Sequence, residues 1–192
     1  METITREIIR NHDGHEAVYK FTTFIGVLSD ISKHTTRPNL GRLQSHLQNV
    51  FQCEIIEKIQ SPSGMPTLML EVERGSPEGD LVRLAREANY RGLKSGQHWK
   101  VQEHFLANEE HTIAAEMPVF DENMLGCIDL VAYDLEFDIV KILDFKPNAH
   151  KEKHAATQLY WYRELLSKQS GIPKSKIECF YFDDMNCYRV KF

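Results

Sequence analysis

Two runs decide how this chain folds: Leu125-Gly126-Cys127-Ile128-Asp129-Leu130-Val131-Ala132-Tyr133 and Ile139-Val140-Lys141-Ile142-Leu143-Asp144-Phe145-Lys146. Both are rich in β-branched and aromatic residues, and the acidic stretch Asp134-Leu135-Glu136-Phe137-Asp138 between them reads as a turn, so the pair predicts an antiparallel hairpin. Side chains alternate faces along a strand, which puts Asp144 and Lys146 on one face with the apolar Val140 and Ile142. A carboxylate and an ammonium at the end of a core-facing row are out of place unless something uses them. If the hairpin closes symmetrically about Glu136 and Phe137, Asp129 lies directly opposite Asp144.

Two carboxylates about 5 Å apart on adjacent strands repel each other unless one is protonated or a cation lies between them. A hard divalent ion such as Mg²⁺ or Mn²⁺, held by carboxylate, carbonyl and water oxygens, meets that need. Such an ion polarises a phosphoryl oxygen and lowers the pKa of a bound water, and Lys146 would orient that water or stabilise the charge that develops. The chemistry suggested is phosphodiester hydrolysis.

Outward from the hairpin, Thr112 to Val119 reads as a strand before it. Ser76-Pro77-Glu78 has the capping hydroxyl, early proline and acid of a helix start. That helix should carry Leu81, Leu84, Ala85 and Ala88, loosen between Gly92 and Gly96, and resume with Trp99, Phe105 and Leu106 as one long or kinked helix. After the hairpin, residues 151–168 form a helix with Ala155, Leu159, Tyr162 and Leu166 on one stripe, stopped by Gly171 and Pro173. Ile177 to Phe182 and Cys187 to Phe192 close the chain as strands around Asp183-Asp184-Met185-Asn186. The expectation is an α/β core over residues 76–192: helix, three-strand meander, helix and strand in a mixed sheet flanked by helices. Before it, Leu40, Leu43, Leu47 and Val50 recur at helical spacing, and Glu54 to Ile59 and Thr67 to Val72 read as strands joined at Ser61-Pro62-Ser63-Gly64. Residues 1–75 are expected to form a small accessory lobe.

Three elements, Gly126-Cys127-Ile128-Asp129, Asp144-Phe145-Lys146 and Gln158-Leu159-Tyr160-Trp161-Tyr162, follow one another on strand, strand and helix. In that order they resemble the GxxD, DxK and QxxxY motifs of the PD-(D/E)XK nucleases, and within them the RecB-like branch that includes CRISPR-associated and viral exonucleases. The resemblance spans roughly residues 77 to 183 and implies a restriction-endonuclease-like core. It also implies that Asp129 and Asp144 hold Mg²⁺ or Mn²⁺ with the Phe145 carbonyl, that Lys146 is catalytic, and that Gln158 and Tyr162 face the active site or the DNA strand. Glu116 would supply the family's acid at the end of the first core strand, and His98 its helix histidine, both as further metal ligands, with His104 as competitor. Pro147 replaces the family's usual small hydroxyl residue, and Cys179 and Cys187 lack the spacing of the iron–sulfur branches, so no cluster is expected. The resemblance points to a deoxyribonuclease acting on single strands or duplex ends in DNA repair, recombination or replication. An endonuclease of the same fold, or a non-catalytic nucleic-acid-binding subunit that keeps the fold, are the alternatives.

The bulk properties suit such a protein once charge is resolved along the chain. At 192 residues, 42% hydrophobic and 27% charged, the chain is an ordinary globular one. No run of about 20 apolar residues is present to cross a membrane. The polar start, METITREIIRNHDG, lacks the apolar stretch of a signal peptide, so a cytoplasmic protein with reduced cysteines is expected. The net charge of −5 argues against an acidic partner such as DNA. Between residues 146 and 176, however, seven basic residues stand against two acidic ones, just after the Asp144 strand. His150 and His154 have an i, i+4 spacing that suits zinc, but no Cys or third His accompanies them.

Overall fold

A computed structural model describes residues 2–12, 15–25, 37–49, 61–90, 98–109 and 111–192. Its strands are β1 (Glu2–His12), β2 (His15–Ile25), β3 (Val72–Arg74), β4 (Thr112–Phe120), β5 (Leu125–Asp134), β6 (Ile139–Phe145), β7 (Ile177–Phe182) and β8 (Cys187–Val190). The helices are α1 (Pro38–Asn49), α2 (Asp80–Tyr90), α3 (His98–Asn108) and α4 (Ala155–Ser170). All eight strands join one sheet in the order β1-β2-β4-β5-β6-β7-β8-β3. Only β6 and β7 run parallel, because the chain crosses over through α4 between them. Every other neighbouring pair is antiparallel.

Helices cover both faces of this mixed sheet. On one face, Leu40, Leu43 and Leu47 of α1 and Ala155, Leu159, Tyr162, Leu165 and Leu166 of α4 pack against Ile128, Val131, Val140 and Ile142. On the other, Val82, Leu84, Ala85 and Ala88 of α2 and Val101, Phe105 and Leu106 of α3 pack against Leu130, Leu143, Phe145 and Phe182. Each stripe has the 3.6-residue spacing of an amphipathic helix, so burial of that stripe fixes the helix on the sheet. The α4 helix ends where expected, with Gly171 at φ 71° donating its N–H to Ser167 O.

Several expectations need correction. The described elements before residue 76 do not stand apart as a lobe: β2 pairs with β4, β3 with β8, and α1 shares the core of the main sheet. Residues 67–70 are not a strand, because Leu68 N–H bonds Thr157 Oγ1 (2.8 Å) and Thr67 Oγ1 meets His154 Nδ1 (3.0 Å), tying the segment to α4, and backbone bonding towards β8 begins at Glu71, whose carbonyl accepts the Lys191 N–H at 2.9 Å. The strand proper starts at Val72. The α2 helix starts at Asp80, two residues after Glu78, since Ser76 Oγ accepts the Glu78 N–H within a preceding turn. Of the long or kinked helix, Asp80–Tyr90 and His98–Asn108 are helical, and residues 91–97 between them lie outside the described residues. Val50 and the run Glu54 to Ile59 lie outside the described residues.

Among the described residues no helix is long and apolar enough to cross a membrane.

Candidate active site

The β5–β6 ladder pairs Asp134 with Ile139, Tyr133 with Val140, Ala132 with Lys141, Val131 with Ile142 and Leu130 with Leu143. This is the symmetric closure about Glu136 and Phe137, and one further step sets Asp129 against Asp144. There the ladder gives way to a side-chain contact, in which the Phe145 N–H donates to Asp129 Oδ2 at 3.0 Å. On the other side of β5, Ala115 pairs with Leu130 and Met117 with Ile128, which leaves Glu116 facing Asp129. Glu116, Asp129 and Asp144 therefore stand in one row across β4, β5 and β6.

That row interrupts the pleat. Ala114 and Met117 on β4, and Ile128 and Val131 on β5, all pack into the core shared with α1 and α4. A regular period of two would put the members of each pair on opposite faces. Glu116 absorbs the slip on β4 with a left-handed backbone at φ 54°. Such a conformation costs a non-glycine residue free energy, and it clusters at functional sites.

Asp144 is 1% exposed. Lys146 Nζ lies 2.9 Å from each of its carboxylate oxygens. The ammonium donates to Oδ1 in hydrogen-bond geometry, and the buried Oδ2 is left without a hydrogen bond. Burial and then the nearby Asp129 charge hold the Asp144 carboxyl well above the usual range, with Lys146 opposing them. Burial works against the Lys146 charge, but Asp144 and Asp129 outweigh it and keep the ammonium protonated more firmly than usual.

The α3 helix meets this row through two side chains one helical turn apart. His98 Nδ1 lies 3.4 Å from Asp129 Oδ2, and its ring stands edge-on to Phe145 with centroids 5.5 Å apart. Gln102, 2% exposed, donates from Nε2 to Glu116 Oε1. The second oxygen of Glu116 accepts from Cys127 Sγ at 3.1 Å. Burial, Glu116 and Asp129 all push the Cys127 thiol up, so it stays protonated as a donor. His104 points elsewhere: its Nε2 is 3.6 Å from Glu87 Oε2 on α2, and its Nδ1 3.1 Å from Asn108. Of the two candidate helix histidines, His98 is the one at the carboxylates. Gln102 and Cys127 were not anticipated as site residues; the i, i+4 spacing from His98 to Gln102 is the signal that marks the first.

From the opposite face, α4 supplies Gln158 and Tyr162. The Gln158 amide donates to the Tyr162 hydroxyl at 2.6 Å. Tyr162 is 3% exposed, so its ring is a buried wall beside the carboxylates. Burial, then the charges of Asp144 and Asp129, push its phenol up, which places the hydroxyl beside the carboxylates as a proton-bearing group. Gly126 is explained by the same packing. A Cβ there would collide with the Tyr162 ring and press on Pro62. The glycine of the first motif thus makes room for the tyrosine of the third.

Beyond Lys146 the chain is anchored by Asp183, whose Oδ2 accepts the Ala149 N–H at 2.7 Å, while Lys146 N–H bonds Phe182 O at 2.9 Å. His154 is occupied by Thr67, and it forms no zinc group with His150.

Carboxylate oxygens and a backbone carbonyl are hard donors of the kind Mg²⁺ and Mn²⁺ take. Asp129, Asp144 and the Phe145 carbonyl are donors of the type such an ion takes, and the buried Asp144 carboxylate facing Asp129 is the observation in favour. Among the described residues, no three His, Cys, Asp or Glu side chains converge as a ready-made metal cluster. Lys146 sits on Asp144, and Glu116 is turned to Gln102 and Cys127. A concavity of about 540 Å³ lies elsewhere, between α2 and the far ends of β5 and β6 beside Leu81, Leu84 and Lys141. It contains none of the facing carboxylates. Comparison with family models, curated proteins and solved structures returned no match.

Proposed function

We propose that the chain is a divalent-metal-dependent deoxyribonuclease that hydrolyses phosphodiester bonds, acting as an exonuclease on single strands or duplex ends. The observation that carries this reading is the facing pair Asp129 and Asp144, with Asp144 buried and the Lys146 ammonium 2.9 Å from its carboxylate. Mg²⁺ or Mn²⁺ held by Asp129, Asp144 and the Phe145 carbonyl would polarise the phosphoryl oxygen and acidify a water.

The chain's own groups divide the remaining work. His98 Nδ1 and the Phe145 N–H hold one oxygen of Asp129 in place. Lys146 keeps its proton at Nζ and offers a fixed positive charge where negative charge builds on phosphorus-bound oxygens. Gln102 and Cys127 hold Glu116 at the edge of the row. Tyr162 and Gln158 close the α4 side against bulk water. Lys151 and Lys153 follow the catalytic strand, are exposed, and make no ion pair among the described residues. They are free to neutralise backbone phosphates, and binding should weaken with salt accordingly. The preference for ends over internal bonds rests on the resemblance of Gln158 to Tyr162 to the exonuclease motif.

The test compares wild type with Asp144→Ala and Lys146→Ala on single-stranded, linear duplex, nicked-circular and covalently closed circular DNA in Mg²⁺ or Mn²⁺. Wild type should release nucleotides from linear substrates and leave covalently closed circles intact, and both variants should be inactive. Equal residual activity in the three proteins overturns the assignment, and cleavage of closed circles makes the enzyme an endonuclease.

A further inference from the structure

Trp99 is 57% exposed, although a large aromatic side chain gains from burial. It directly follows His98, whose ring is 40% exposed and contacts Asp129. Lys100, the next residue, holds its Nζ 5.7 Å from the centre of the Trp99 ring. The other exposed aromatics among the described residues lie elsewhere: Phe137 is in the turn at the far end of β5 and β6, and Phe192 is covered on one face by the Arg163 guanidinium at 4.3 Å. An aromatic ring more than half exposed, with an ammonium 5.7 Å over one face and one residue along the helix from His98, has the two components that bind an unpaired nucleotide. The ring stacks on the base and the ammonium takes the phosphate. A paired base offers no free face to such a ring.

Resting on the nuclease reading above, we propose that Trp99 and Lys100 form a stacking subsite for an unpaired base of the strand being cut, which makes single-stranded DNA, or the frayed end of a duplex, the preferred substrate. Base-on-aromatic stacking contributes about 1–3 kcal/mol per base, so loss of the ring should weaken binding on the order of tenfold.

The experiment uses the full chain carrying Lys146→Ala, so that oligonucleotides are bound and not cut. A fluorescein-labelled single strand and its blunt duplex are titrated by anisotropy, and tryptophan emission is followed with unlabelled DNA. The single strand should quench emission, and Trp99→Phe should abolish the quench while retaining affinity within about twofold, since Phe also stacks. Trp99→Ala should lose roughly tenfold in single-strand affinity, with little change for the duplex and an unchanged melting midpoint. A quench that persists in Trp99→Phe, or unaltered single-strand affinity in Trp99→Ala, overturns the subsite. An equal loss on duplex overturns the strand preference. If wild type cleaves DNA while these variants bind normally, the subsite alone fails. If wild type neither binds nor cleaves, the nuclease reading fails with it.

Discussion

Asp144 and Asp183 are both buried, at 1% and 4% exposure, and both sit where a strand of the parallel β6–β7 pair ends. Their surroundings are opposite. Asp183 accepts N–H groups from Ala149 (2.7 Å), Met185 (2.8 Å) and Asn186 (2.6 Å), and the Asn186 side-chain amide at 3.2 Å. It behaves as the hub of a turn. Asp144 faces another carboxylate, has one ammonium partner, and keeps an oxygen without a hydrogen bond. Burial alone does not distinguish a working acid from a structural one. What separates them is how completely the fold satisfies the charge.

The largest expected effect follows from that contrast. Asp144→Asn should reduce cleavage about a thousandfold or more, while stability stays within about 1 kcal/mol, because the lost ion pair with Lys146 is offset by the end of repulsion with Asp129. Asp183→Ala should do the reverse. Loss of its hydrogen bonds should cost about 3 kcal/mol in urea unfolding, with activity per folded molecule largely retained. A catalytically dead, fully stable Asp183 variant would break the distinction.

Gly126→Ala tests how the α4 wall is seated. Its Cβ must displace the Tyr162 ring, so stability should fall by about 2 kcal/mol, and near-ultraviolet circular dichroism should report the altered tyrosine environment. Asp129→Asn gives the smallest effect and the most direct view of the repulsion. Because the folded Asp144 pKa is raised above its unfolded value, the native state binds more protons than the unfolded chain above about pH 4. The stabilising contribution is complete below about pH 4 and is lost as pH rises through the folded pKa. Without metal, Asp129→Asn should flatten this slope and stabilise the protein by about 1 kcal/mol at neutral pH, measured by denaturation in EDTA at several pH values. An unchanged slope would mean that the two carboxylates do not sense each other.

How much of this was legible in the sequence depended on the range of the interactions involved. The Asp129–Asp144 opposition follows from strand alternation and a symmetric turn, and both are local. The α4 stripe and its Gly171 stop are likewise set by neighbours in the chain. The segment 67–70 departs from the expected strand because its backbone bonds Thr157, a residue that only the fold brings near. The accessory lobe dissolves for a similar reason: the Phe24–Ala115 and Ile25–Ala114 pairings join distant segments with no periodic sign of their attachment. Glu116 is expected at the site from its place on the first core strand, but its left-handed backbone and its capture by Gln102 and Cys127 depend on packing across three elements.

Manganese soaked into crystals of the wild-type protein, located by its anomalous scattering, tests the central claim most directly. The account predicts a peak bound by Asp129 and Asp144 together with the Phe145 carbonyl, absent from crystals of Asp144→Asn. A peak at other residues, or the same peak in the variant, would contradict it.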